Sequence, residues 1–131
     1  MLAASGCGGD NSGSGGYGGE TEGSATTTIA GVAANDHGTK TVSAETEVEL
    51  DDDYFEPTVL QGGAGAKVTL ELKNEGGQEH NFTVDAQQID QDVEAGEDAK
   101  VSVTLPQSGQ LVFYCKYHKA EGMVGALEAS G

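Results

Sequence analysis

Apolar residues recur at every second position in several short runs of this chain. The clearest run is AKVTLELKN (66–74), in which Val68, Leu70 and Leu72 alternate with polar residues. A period of two places successive side chains on opposite faces of a β-strand, so one face of this segment can be buried while the other meets solvent. Because no stretch keeps a helical period for more than two turns, the chain is predicted to be all-β.

Five further runs carry strand-like patterns and are separated by Gly, Asn, Pro or Ser. They are ETEVEL, HNFTVDA, AKVSVTLP, QLVFYC and MVGALEA, at 45–50, 80–86, 99–106, 110–115 and 123–129. The fourth is continuously apolar, which is typical of a strand buried on both faces. Several short strands at this spacing predict a Greek-key β-sandwich or barrel, and we place this domain at residues 45–131.

The first 44 residues have a different composition, and we predict a flexible low-complexity linker over residues 1–44. Nine of the 21 glycines fall within residues 1–24, mixed with Ser, Asn and Thr. Such a segment has too few apolar side chains to offset the entropy of ordering, so a disordered Gly/Ser-rich arm is expected.

Cys7 lies in LAASGCGGD (2–10), which resembles the lipobox of bacterial and archaeal lipoproteins. In a lipobox the cysteine becomes the lipid-bearing first residue, so lipidated Cys7 would tether the domain to a membrane. The four residues Met1–Ala4 do not supply the basic and apolar regions of a signal peptide. The alternative is a linker that happens to contain a cysteine.

The charge is strongly acidic, with 22 Asp and Glu against six Lys and no Arg. From residue 45 onward, 18 acidic residues face five lysines, a formal charge of −13. Such a surface repels nucleic acid and anionic lipid head groups, so no nucleic-acid partner is expected. No segment approaches the ~20 apolar residues that span a bilayer.

The stretch FYCKYHKAEGM (113–123) concentrates the metal-binding residue types of the chain. Cys115, His118 and Met123 form a Cys-x2-His-x4-Met pattern that begins where an apolar strand ends. Taken singly, each residue has an ordinary explanation: a cysteine in the core, a histidine on the surface and a methionine in the core. Together they are thiolate, imidazole and thioether, the ligands that copper prefers. A trigonal site with two histidines needs one more, and of the others His37 lies in the arm, which leaves His80.

The segments EHNFTV (79–84) and FYCKYHKAEGMVGAL (113–127) resemble the cupredoxins, the small blue copper proteins of the plastocyanin and halocyanin type. The resemblance implies a Greek-key β-sandwich with a type 1 site for one copper ion, which cycles between Cu(I) and Cu(II). It implies that His80, Cys115, His118 and Met123 are the copper ligands.

The resemblance also implies that Asn81 bridges the strand of His80 to the region of the ligand cysteine; a polar residue on an edge strand is the alternative. We further expect Phe82, Phe113 and Val124 to keep water from the metal. Lys116 and Lys119 flank His118, where we expect a positive patch that docks an acidic partner; two solvated lysines are the alternative.

These observations predict a single-electron carrier that is not an enzyme. It would be a monomer that shuttles electrons between a redox protein donor and an acceptor outside the cytoplasmic membrane, on the cell surface or in the periplasm. Copper delivery or storage is the alternative, although the chain lacks a Met- or His-rich tract. A copper enzyme would need a second copper site with further histidines, which His37 alone cannot supply.

Overall fold

Short β-strands build almost all of residues 25–130, the part of the chain that the structure, a computed structural model, describes. The strands are β1 Ala25–Ile29, β2 Val32–Asp36, β3 Thr39–Thr41, β4 Glu45–Asp51, β5 Tyr54–Glu56, β6 Val59–Gly62, β7 Lys67–Asn74, β8 His80–Val84, β9 Ile89–Val93, β10 Asp98–Thr104, β11 Gln110–Tyr114 and β12 Val124–Ala129. Two single turns of 3-10 helix, Asp85–Gln87 and Lys119–Glu121, lie in loops. Residues 25–130 contain no helix with the length and hydrophobicity of a transmembrane span.

Two sheets face each other, which confirms the predicted β-sandwich. One sheet has the strand order β10-β7-β4-β5, and the other has the order β3-β6-β12-β11-β8-β9. β4 pairs with β7 in parallel, and β12 pairs with β6 in parallel, so both sheets are mixed. The remaining strands, β1 and β2, form a separate antiparallel ribbon.

The core lies between the two sheets, and β7 shows how the sequence pattern builds it. Val68, Leu70 and Leu72 are buried, whereas the residues between them are half-buried. The predicted period of two is therefore confirmed, because alternate side chains of a strand point to opposite faces. Members of the core come from both sheets: Val42, Val48, Leu50, Phe55, Leu60, Val68, Leu70, Leu72, Phe82, Val84, Val93, Val103, Leu105, Phe113, Cys115, Met123 and Leu127.

The boundary predicted at Glu45 differs from the structure, because strands β1 to β3 lie within the predicted linker 1–44. Ile29 and Ala34 of the ribbon are buried against Val124 and Ala126 on the outer face of β12. The prediction that Val124 keeps water from the metal is therefore wrong, because its side chain packs under the ribbon and not in the main core. The small and β-branched residues of this segment therefore cover a second, smaller apolar cluster. The ribbon also explains the continuous apolar run at 110–115, because the outer face of β11 packs against this cluster, although only partly buried.

A two-residue turn closes the ribbon between β1 and β2. Ile29 pairs with Val32, and both turn residues, Ala30 and Gly31, have positive φ angles of 51° and 79°. Tight hairpins favour such turns because their twist matches that of the flanking strands. The sequence signal was weak because alanine is uncommon at a positive φ.

Candidate metal centre

Three predicted ligands meet at one end of the sandwich because their strands are neighbours in the six-stranded sheet. His80 begins β8, and Cys115 directly follows β11, which pairs with β8 at Tyr114 and Thr83. His118 lies three residues further along the loop from β11 to β12. The donor atoms of His80 and Cys115, which lie 35 positions apart in the sequence, are thereby brought within 4.8 Å.

The donor atoms of His80, Cys115 and His118 converge within 4.8 Å of one another. The two histidine Nδ1 atoms are 3.2 Å apart, and Cys115 Sγ lies 3.5 Å from His118 Nδ1. His80 and Cys115 are fully buried, whereas His118 is half-buried. The site is thus closed on the protein side and reaches the surface at one histidine.

The far nitrogens of both rings face oxygen atoms. His80 Nε2 lies 2.9 Å from Asp52 Oδ1, and His118 Nε2 lies 2.9 Å from Gln78 Oε1. With these oxygens accepting, both Nε2 atoms carry the proton and both Nδ1 lone pairs point inward. Two lone pairs and a thiol sulfur facing one another are satisfied by a cation, so the residues present fit a bound metal ion. A thiolate with two imidazoles suits copper.

Met123 is fully buried and directly precedes β12. Its backbone carbonyl accepts a hydrogen bond from the Cys115 N–H at 3.0 Å, and its own N–H donates to the His118 carbonyl at 3.2 Å. These bonds hold Met123 beside the two loop ligands. Ligation by its thioether remains a prediction.

The ribbon also contacts the ligand loop through Asn35, which the sequence analysis assigned to the linker. The backbone N–H of Asn35 donates to the Gly122 carbonyl at 2.9 Å, and its side-chain amide donates to the carbonyls of Glu121 and Asp53 at 3.0 and 2.8 Å. One residue of β2 therefore ties the end of the ligand loop to the β4–β5 turn.

Asn81 forms the bridge that the family resemblance implied. It is fully buried, and its side-chain oxygen accepts a hydrogen bond from the backbone N–H of Lys116 at 3.2 Å. Its amide donates to Asp90 and Asp92 at 2.8 and 2.9 Å. Asn81 thus fixes the chain directly after Cys115 against strands β8 and β9.

The two lysines of the ligand loop differ in their surroundings. Lys116 Nζ lies 3.0 Å from Asp90 Oδ1 and 3.9 Å from Asp92 Oδ1, so its charge is paired locally. Lys119 Nζ lies over the ring of Tyr114, 4.4 Å from the centroid. The predicted positive patch therefore reduces to Lys119, because the carboxylates of β9 offset the charge of Lys116.

Burial raises the pKa of the Cys115 thiol, and nearby backbone N–H groups oppose that shift only in part. We therefore expect the metal-free protein to lose stability as pH rises above about 8.5, where an ordinary thiol ionises. Below that pH both states keep the proton. Above it, the unfolded chain releases a proton that the folded state retains, so unfolding becomes more favourable.

Urea unfolding of the metal-free protein at a series of pH values about one unit either side of 8.5 measures this effect. Cys115→Ser is the control, since a serine hydroxyl does not ionise in this range. The same pH dependence in both proteins would show that Cys115 does not contribute.

Comparison with known proteins identifies the family. The model of the cupredoxin-like domain matches residues 24–127, a range that includes the ribbon as well as the sandwich. The chain belongs to the cupredoxin-like family. Membership implies electron transfer through copper, and His80, Cys115 and His118 form a potential site for one copper ion.

Individual relatives agree with this assignment. Plastocyanin B'/B'' of Nicotiana tabacum is 35% identical to this cupredoxin over 83 residues, which cover 54% of this chain and 82% of the plastocyanin. The auracyanin of Roseiflexus castenholzii has a TM-score of 0.58 at 19% identity, covering 68% of this chain and 98% of that one. The metal binding domain of a Cu(I)-exporting P-type ATPase of Streptococcus pneumoniae has a TM-score of 0.58 at 11% identity. The match covers 72% of this chain and 98% of that domain. The two structures show a shared fold.

Two other candidate residues of this cupredoxin have different outcomes. His37 stacks on Tyr54, with ring centroids 3.4 Å apart, and is not part of the cluster of His80, Cys115 and His118. Cys7 lies outside the described residues.

Sequence reasoning missed Asp52, Gln78 and Asn35. A single residue that donates or accepts a hydrogen bond leaves no repeating pattern in the sequence by which it could be recognised.

Proposed function

We propose that the chain is a single-electron carrier with a type 1 copper site formed by His80, Cys115, His118 and Met123. The observation that supports this most is the convergence of one thiol and two imidazoles within 4.8 Å at a largely buried position. Bound copper supplies a centre that gains or loses one electron. The protein supplies a fixed set of donors, so little has to move on electron transfer.

Each ligand has a distinct part in this function. The Cys115 thiolate binds copper in both oxidation states, the imidazoles suit Cu(II), and the Met123 thioether helps to keep Cu(I) stable. Phe82, which is fully buried, belongs to the apolar core around the cluster and excludes water from it. His118 is the half-buried ligand, so electrons enter and leave through its exposed edge.

The partners we propose are redox proteins that act as donor and acceptor outside the cytoplasmic membrane, at the cell surface or in the periplasm. The lipobox-like sequence around Cys7 supports a lipid anchor. The formal charge of −16 supports a monomer, because copies of the chain repel one another. We propose that the protein forms no bond to a substrate and is not an enzyme.

Copper delivery or storage is the second candidate, because a Cu(I)-exporting ATPase has a metal binding domain of the same fold. The burial of His80 and Cys115 favours the carrier, since delivery requires ready exchange of the metal. We expect the Cu(I)-loaded protein to resist a strong Cu(I) chelator, and to give reversible one-electron voltammetry.

The chelator experiment is followed by the absorbance of the chelator–copper complex against time. His118→Gly, which removes one proposed ligand and opens the exposed side of the cluster, is the reference for fast release of copper. Copper loss from the parent protein as fast as from this variant would favour delivery over electron transfer.

A further inference from the structure

A carboxylate lies directly behind the buried histidine of the metal centre. Asp52 Oδ1 is 2.9 Å from His80 Nε2, and His80 has no exposed surface. An ionised carboxylate can only accept a hydrogen bond, so His80 Nε2 carries the proton and donates it. The lone pair of His80 is then on Nδ1, the atom that faces His118 Nδ1 at 3.2 Å.

Asp52 is itself held in place by the chain around it. The backbone N–H of Gly77 donates to both Asp52 oxygens, at 3.2 and 3.1 Å. A Cβ on Gly76 would overlap Asp52 Oδ1 and lie 3.0 Å from His80 Nε2, so a residue without a side chain is needed where the two groups meet. On its other side, the β4–β5 turn is fixed by the bond from Asn35 to the Asp53 carbonyl.

We propose that Asp52 is a positioning residue of the copper site, which fixes the tautomer and orientation of His80 and places a negative charge behind this ligand. The inference rests on the proposed function, because it concerns how the same site is tuned. Without Asp52, the favoured tautomer of His80 carries its proton on Nδ1 and donates it to His118. That tautomer blocks the lone pair that would bind the metal.

The negative charge has a second consequence for the oxidised and reduced forms. Cu(II) carries one more positive charge than Cu(I), so a carboxylate behind His80 stabilises the oxidised form more. Outer hydrogen-bond partners of ligating histidines orient the ring and raise its basicity. Asp52 therefore both favours metal binding and lowers the reduction potential.

Two variants separate these effects. Asp52→Ala removes the acceptor, so ¹⁵N NMR of the metal-free protein should show the His80 proton moving from Nε2 to Nδ1. Its Cu(II) affinity should fall about 10–100-fold, the usual cost of losing such a partner. Asp52→Asn keeps an acceptor oxygen and removes the charge, so it should keep the Nε2–H tautomer, retain most of the affinity and raise the reduction potential.

Asp51→Asn is the matched control, because it removes the same charge from the preceding residue, for which no contact with His80 is found. It should leave the tautomer and the affinity unchanged and shift the potential less than Asp52→Asn. An unchanged tautomer and affinity in Asp52→Ala would overturn the proposal. If Asp52→Ala does not fold, an equal potential shift in Asp52→Asn and Asp51→Asn would overturn it instead.

The NMR measurement also separates this proposal from the proposed function. A parent protein that binds Cu(II) without a thiolate-to-copper band would contradict the type 1 site. The position of the His80 proton in the metal-free proteins would still decide whether Asp52 orients the ring.

Discussion

Replacing Phe113 by Ala is expected to lower the free energy of unfolding by about 3–5 kcal/mol, the range for large aromatic residues removed from a core. Phe113 is fully buried between two other aromatic rings, with centroids 4.9 Å from Phe55 and 4.8 Å from Phe82. Its ring also packs against the backbone of β12, since a Cβ on Gly125 would overlap it. Few neighbours can move inward to fill the space.

Urea unfolding of the metal-free protein measures this loss without any contribution from copper. Phe113→Leu is the control, and it should cost about half as much or less, because it fills much of the volume. Since Phe113 lies two residues before Cys115, the alanine variant should also weaken copper binding. A loss below about 1 kcal/mol would mean that the core repacks around the site.

Removing residues 24–44, which include the ribbon and the edge strand β3, should have an effect of similar size. A chain that begins at Glu45 lacks β1 to β3 and the core residue Val42. Compared with a chain that begins at Ser24, it should lose on the order of 5 kcal/mol of stability. Burying Ile29 contributes about 1.5–3 kcal/mol, and each hydrogen bond made by Asn35 contributes about 0.5–1.5 kcal/mol. The outer face of β12, with Val124 and Ala126, would become exposed.

The difference between these two chains comes from residues 24–44 alone. Thermal unfolding of both chains measures it, and the spread of amide signals in NMR spectra shows whether the shorter chain keeps its tertiary structure. Equal unfolding temperatures would show that residues 24–44 add no stability, as expected of the linker predicted from the sequence.

The sandwich and much of the metal centre could be predicted from the sequence because their signals are local. Alternation along β7 reports which face is buried, and the thiol and imidazole of Cys115 and His118 are ligand types whose spacing is visible in the chain. His80 followed from the need for a second imidazole. Contact among these three residues is what the structure adds.

The ribbon and the outer hydrogen bonds of the site could not be predicted, for physical reasons. Residues 25–36 contain mostly Thr and Ala, whose burial depends on the apolar outer face of β12 that receives them. Asp52 and Asn35 act through a few hydrogen bonds to groups distant in the sequence. Likewise, the charge of Lys116 is offset by Asp90, which becomes a neighbour only when β8 pairs with both β9 and β11.

The absorption and EPR spectra of the Cu(II)-loaded protein, recorded beside those of Cys115→Ser, test the type 1 copper site most directly. An intense thiolate-to-copper band in the red region should appear in the parent protein and vanish in the variant, because the band requires the Cys115 sulfur on the metal. A colourless Cu(II) protein with an ordinary tetragonal EPR signal would contradict the site proposed for His80, Cys115, His118 and Met123.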